Sequence, residues 1–239
     1  MTTRLFLLGA ALVMLCLASP DAAMSQAPGK QYLASPALPT GELAELANVA
    51  QARTQQAYYF QPVQFRVPDG VTVAVAQPGG YSAEQRSTQA GQEGGSWPCF
   101  GMLPGRVYRL KIGNIPLRAG QELYPTLELL GRLTPPAGRE FDFPVQVDIE
   151  REDLDLALSG HLVTRVVYLE APLLAMPTDS SLASGRVAFD VPDGLNPLAV
   201  AESKGTVMAV LRMGSRVADE VPNYDSSFFF GLPEFTVRP

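Results

Sequence analysis

Proton transfer, metal binding and nucleophilic attack each need particular side chains brought close together, and this sequence of 239 residues carries few of them. It has one histidine, His161, placed directly after Gly160. That position follows an acid-rich, leucine-bearing stretch that reads as a helix. His161 is therefore expected to close off the last helical carbonyls rather than to shuttle protons. No serine or cysteine nucleophile motif accompanies it. Of the two cysteines, Cys16 lies in an apolar N-terminal run and Cys99 follows Trp97-Pro98. If Cys16 leaves with an export signal, Cys99 has no disulfide partner and is expected to act as a small buried hydrophobe. One histidine and one remaining cysteine do not build a usual zinc site.

Carboxylates are the other possible source of chemistry. Asp148, Glu150, Glu152, Asp153 and Asp155 form the one dense group. Calcium favours oxygen ligands, but the spacing lacks the glycine and regular alternation of a calcium loop. Acids in the first turn of a helix complement its positive dipole end, which accounts for most of the group. Glu122 and Glu128 could be weighed as a glycosidase pair. Six residues apart on a strand, they share a face but lie roughly 20 Å apart, too far for either hydrolytic geometry. No catalytic residue, metal or cofactor is assigned, and the chain is not expected to be an enzyme.

Aromatic residues offer binding rather than catalysis. Phe228-Phe229-Phe230, with Tyr224 and Trp97, could present a carbohydrate-stacking or partner-binding surface. Three consecutive aromatics on a strand cannot all face one side. The favoured alternative is that they close the bottom of the core beside Leu232 and Phe235. Trp97, Tyr224 and Phe229 stand as the ligand-binding candidates.

The elements that would position these residues begin with an export signal. Arg4 precedes the apolar run Leu5 to Leu17, and Ala23-Met24-Ser25 follows, with small residues at the two positions a signal peptidase reads. Residues 1–25 thus read as a signal peptide, too short and wrongly flanked for a membrane anchor, so no transmembrane span is expected in the mature chain. Leu15 before Cys16 argues against lipid attachment there. The formal charge of -6 and pI near 4.9 argue against nucleic acid as a partner. Residues 26–56 are polar and rich in Ala and Gln. Leu43, Leu46 and Val49 recur there at helical spacing, but the stripe is thin, and the segment reads as a spacer.

From residue 57 to 239 the chain reads as a single β-sandwich domain. Val63 to Val67 alternates, Pro68-Asp69-Gly70 turns, and Val71 to Val75 returns. Further strands are expected at Val107–Ile112, Leu123–Leu130, Phe143–Ile149, His161–Leu169, Val187–Val191, Leu198–Ala201 and Thr206–Met213. Val166 is expected in the core. Pro125 should interrupt the second of these strands. One short helix is expected over 148–160, with Gly160 as its stop. Residues 78–98 and 172–186 read as mobile loops. Phe189-x-Val191-Pro192-Asp193-Gly194 echoes Phe65-x-Val67-Pro68-Asp69-Gly70, either as a duplicated unit or as two uses of one turn. The expected fold is mainly β, an immunoglobulin-like or related β-sandwich with one short helix.

The stretches LPGRVYRLKIGNIP, ELYPTLELL, EREDLDLALSGHLVTRVVYLEAP and LAVAESKGTVMAVLRMG resemble a family of exported planctomycete proteins of unknown function. The resemblance covers roughly residues 103–214 and implies an envelope or periplasmic location and one β-rich domain, with no catalytic residues to carry over. The resulting expectation is a non-catalytic exported protein of the cell envelope, structural or protein-binding. A carbohydrate-binding module is the alternative and a hydrolase the third reading, so the expected partner is an envelope protein or a polysaccharide.

Overall fold

The computed structural model describes residues 39–53, 59–88, 96–171, 190–192, 194–214 and 226–237. The export signal with Cys16, residues 172–189 and Tyr224 lie outside the described residues, as do 26–38 and 54–56 of the expected spacer and 89–95 of the loop expected over 78–98. In chain order the elements are α1 (Glu42–Arg53), β1 (Gln61–Arg66), β2 (Thr72–Gln77), β3 (Gly80–Tyr81), β4 (Gln85–Arg86), β5 (Cys99–Met102), β6 (Arg106–Gly113) and β7 (Thr126–Leu129). A single 3-10 turn (Glu140–Asp142) precedes β8 (Val145–Asp148), α2 (Arg151–Leu158), β9 (Val163–Glu170), α3 (Pro197–Lys204), β10 (Gly205–Met213), α4 (Ser226–Phe229) and β11 (Phe235–Val237).

Alternating side chains give each strand one apolar face, and two sheets bury those faces against each other. The smaller sheet has the order β11-β5-β1-β8 and the larger β3-β2-β6-β7-β10-β9, with β4 also pairing β2. Val63 and Phe65 of β1, Phe100 of β5 and Val147 of β8 meet Val73, Tyr108, Leu110, Leu127 and Leu211 of the larger sheet in one continuous core. The protein is a β-sandwich. All pairings are antiparallel except β1 with β8, which run parallel. Tyr108 spans the layers: its hydroxyl donates to the Glu234 carbonyl and accepts from the Leu103 amide.

The register fixes which side chains face inward. Tyr108, Leu127, Leu211 and Arg165 form one row across β6, β7, β10 and β9, on the core side. The next row is Val107, Glu128, Val210 and Val166, on the outer side. Val166 is therefore half-buried and outside the core, contrary to expectation; Val163 and Val167 pack on the core instead. In a strand with Val at 163, 166 and 167, apolarity does not reveal the phase, and a one-residue difference exchanges the faces.

Other differences have local causes. The expected strand at Leu198–Ala201 is helix α3: the Asn196 side chain accepts from the Leu198 amide, and Pro197 occupies the first helical position. Phe228 and Phe229 lie in the single turn α4 rather than a strand, and Phe230, Gly231 and Leu232 then all adopt positive φ, which turns the chain away. Part of the stretch expected as a spacer is α1, docked on the sheet. Leu43, Ala44 and Ala47 are buried, while Leu46 and Val49 are exposed, so the buried stripe runs through small residues. A Cβ on Gly105 would lie 2.8 Å from Cα of Asn48, so that approach requires glycine. Residues 80–81 and 85–86 of the expected loop pair with β2. Both Pro-Asp-Gly phrases place their glycine at positive φ, but the first leads into a strand and the second into α3. Pro125 does interrupt: Leu123 makes only an isolated bridge to Ile112 before β7 begins.

Candidate functional site

The polar residues read from the sequence are mostly engaged in holding the fold. His161 is exposed, and its backbone amide donates to the Leu156 carbonyl while Gly160 donates to Ala157, a pair of bonds that closes α2. Asp153 is buried at the start of α2. It accepts from the Glu150 amide at 2.9 Å and from Arg165 Nη2 at 2.6 Å and Nε at 3.1 Å. Asp155 meets Arg118 at 2.9 Å and Arg151 at 3.8 Å. Among the described residues no group of three or more His, Cys, Asp or Glu side chains could hold a metal ion. Cys99 is buried, and Gln85 bonds both its amide and its carbonyl.

Glu128 is fully buried on the outer face of the larger sheet, paired with Arg212 and accepting the Ala44 amide of α1 at 3.3 Å. Glu122 sits at the surface, bonded by Lys111 and by the Tyr124 hydroxyl at 2.5 Å. The pairs Glu128–Arg212 and Asp153–Arg165 were not foreseen. Their signal is a single charge in the middle of an apolar strand, because a buried charge must find a partner.

The aromatic candidates fall in different places. Phe229 packs beside Phe228, with ring centroids 5.0 Å apart, and against Tyr81 at 6.1 Å. It closes the β2–β3 end of the larger sheet together with Ala76, Tyr124 and Leu232. Phe235 belongs instead to the main core, edge-on to Phe100. Arg109 lies beneath α4, 4.0 Å from the Phe228 ring centroid, and donates to the carbonyls of Phe228 and Tyr124. Burial and the neighbouring Glu122 push the Tyr124 hydroxyl up to about 12; burial raises Tyr81 as well. Trp97 is half-buried just before β5, with the guanidinium of Arg66 of β1 5.0 Å from its ring centroid. The structure does not join Trp97 and Phe229 into one surface.

What remains open is the other end of the sandwich. β9 is the last strand of the larger sheet and β8 the last of the smaller. Between them runs a groove of about 860 Å³. Leu133 and Val145 line one side, and β9 forms the other along its whole length. Leu156, Leu162, Leu169 and Leu195 line it too, four of the nine large apolar side chains exposed among the described residues. Leu162 is 73% exposed, Leu195 57% and Leu169 55%. Scattered exposed leucines are ordinary; a concentration in one concavity marks a place where another surface can be buried. The groove offers apolar contact and strand-edge backbone. Its one guanidinium, Arg165, is held by Asp153.

Comparison with protein-family models, with curated proteins and with solved structures finds no match to this chain. Among the described residues, no helix is long and apolar enough to cross a membrane.

Proposed function

We propose that the chain is an exported, non-catalytic protein-binding module of the cell envelope. The groove between β8 and β9 carries this reading, because exposed leucines gather there beside a strand edge that pairs with no strand among the described residues. Export is supported by the basic start, short apolar run and small residues within 1–25, and by the resemblance to exported planctomycete proteins.

Cell fractionation with an antibody to the folded domain tests the location, with the cleaved chain expected in the envelope fraction. Finding the chain in the cytosol with residues 1–25 intact overturns export. A photo-crosslinking residue at Leu162, with Leu117 as control, tests the binding role. Both positions are strongly exposed, but only Leu162 borders the groove. Envelope-protein adducts are expected from Leu162 and not from Leu117. Equal yields from the two positions remove the groove as the binding site.

A further inference from the structure

The groove runs beside the full length of a strand whose second edge pairs with no strand among the described residues. β9 has eight residues and bonds β10 along one side. An edge of that length is a template for one more strand, which would satisfy its outward amides and carbonyls. A strand added there lies between β9 and β8. Alternate side chains would then enter the gap lined by Leu133, Val145, Val163 and Val167, and the others would point away from it. The same walls carry Asp148, Glu150, Asp153, Glu170 and Asp190 against the single cation Arg165. Arg165 is bonded to Asp153, and the acidic character of the rim rests on Glu170 and Asp190, both exposed. Apolar depth, an acidic rim and a strand edge unpaired among the described residues together specify an occupant.

We propose that β9 and the groove beside it receive an extended segment of a partner protein in which apolar residues alternate with lysine or arginine, bound as a further strand of the larger sheet. The alternation follows from the period of a strand, and the basic residues follow from the charge of the rim. This rests on the reading of the protein as a binding module, and adds the mode and the chemistry of the partner.

The test uses the purified folded chain and three fluorescent octapeptides: alternating Lys and Val, alternating Glu and Val, and a block of four Lys followed by four Val. Anisotropy measures affinity at low salt, and amide hydrogen exchange locates the site. The alternating Lys/Val peptide should bind saturably and slow exchange within residues 163–170. The other two should bind at least about tenfold more weakly. Glu170→Lys with Asp190→Lys alters exposed side chains, so folding is spared. It should weaken the Lys/Val peptide about tenfold and favour the Glu/Val peptide. Equal affinity for all three peptides, or binding without slowed exchange in β9, overturns the proposal. Crosslinking at Leu162 with no peptide binding overturns strand addition alone. Loss of both overturns the module reading as well.

Discussion

The two ends of the larger sheet meet the same problem and treat it differently. At the β2 end, the edge is covered by two strands of two residues each, and the outer face by α4. Phe228 and Phe229 are buried there, and Arg109 ties α4 to β6 through two carbonyls. Short edge strands and a covering helix are common ways of blocking strand addition. At the β9 end the edge is eight residues long, half-buried from Val163 to Tyr168 and exposed at Leu169 and Glu170, and leucines surround it. The difference is between an edge paired by short strands and one that pairs with no further strand among the described residues. On the proposed reading the open edge receives a partner, whereas at the closed end the chain's own aromatic side chains bury one another.

The largest expected effect lies at the closed end. Arg109→Ala removes hydrogen bonds to two carbonyls and a cation stacked on Phe228, all in a buried setting. Charged hydrogen bonds of this kind are worth roughly 1.5–3 kcal/mol each, so a loss of about 3 kcal/mol or more is expected by chemical denaturation. A loss under about 1 kcal/mol would mean that α4 is not fixed by Arg109. A second test places the same change on opposite members of one row. Val210 is 1% exposed and Val166, directly across from it, is half-buried at the open edge. Val210→Asp buries an unpaired charge and should cost about 4 kcal/mol, whereas Val166→Asp should cost about 1 kcal/mol. Equal losses would erase the contrast between centre and edge.

These assignments show how far the residues alone reach. Alternation located β1, β2, β6, β7, β8, β9 and β10, because a half-buried sheet imposes period two on its sequence, whereas β3 and β4 are too short to show it and, like β5, were not expected. The acids, leucines and Gly160 located α2. Phase was harder. In β6 Tyr108, Leu110 and Ile112 face the core while Val107 faces out with Arg109 and Lys111, and in β9 Val166 lies on the outer side of a run that carries valines on both faces. α1 was illegible because its buried stripe is Leu43, Ala44 and Ala47, too small to register as amphipathic, and is held by Glu128, 84 residues away. α3 was legible in principle, since Asn196-Pro197 is a helix start, but its apolar residues suit a strand equally. The groove could not be read at all. It arises from two strands that end different sheets, and no local pattern encodes that meeting.

Alkaline titration sharpens the comparison further. Tyr124 titrates ordinarily at 10.0 and is pushed up to about 12, chiefly by burial, and Tyr81 is raised by the same cause. Lys111 beside them is also raised, by its bond to Glu84. In each case the folded protein prefers the protonated form. The stabilisation is thus complete below pH 10 and is lost as pH climbs towards 12. Tyr81→Phe with Tyr124→Phe should flatten that decline. Tyr168→Phe at the open edge, where burial and then Glu170 raise the hydroxyl, should change it little. Melting temperatures measured from pH 9 to 12 compare the variants, and a steeper dependence on Tyr168 would place the alkaline-sensitive region at the wrong end.

The smallest effect on folding is expected from the leucines at the open edge. Leu162 and Leu195 leave most of their surface in water, so Leu162→Ser with Leu195→Ser removes little burial. Surface changes of this kind usually stay within about 0.5 kcal/mol. Phe229→Ser, at the closed end, removes a ring packed against Phe228 and Tyr81 and should cost about 3 kcal/mol. Association should rank the other way. The two serines take apolar surface from the groove and should weaken the alternating Lys/Val peptide several-fold, while Phe229→Ser, measured well below its melting temperature, should leave that affinity unchanged. Thermal melts and anisotropy on the same preparations give both orders. A large stability loss from the leucine pair would mean that these side chains are covered in the folded protein, and the open edge would then be closed like its counterpart.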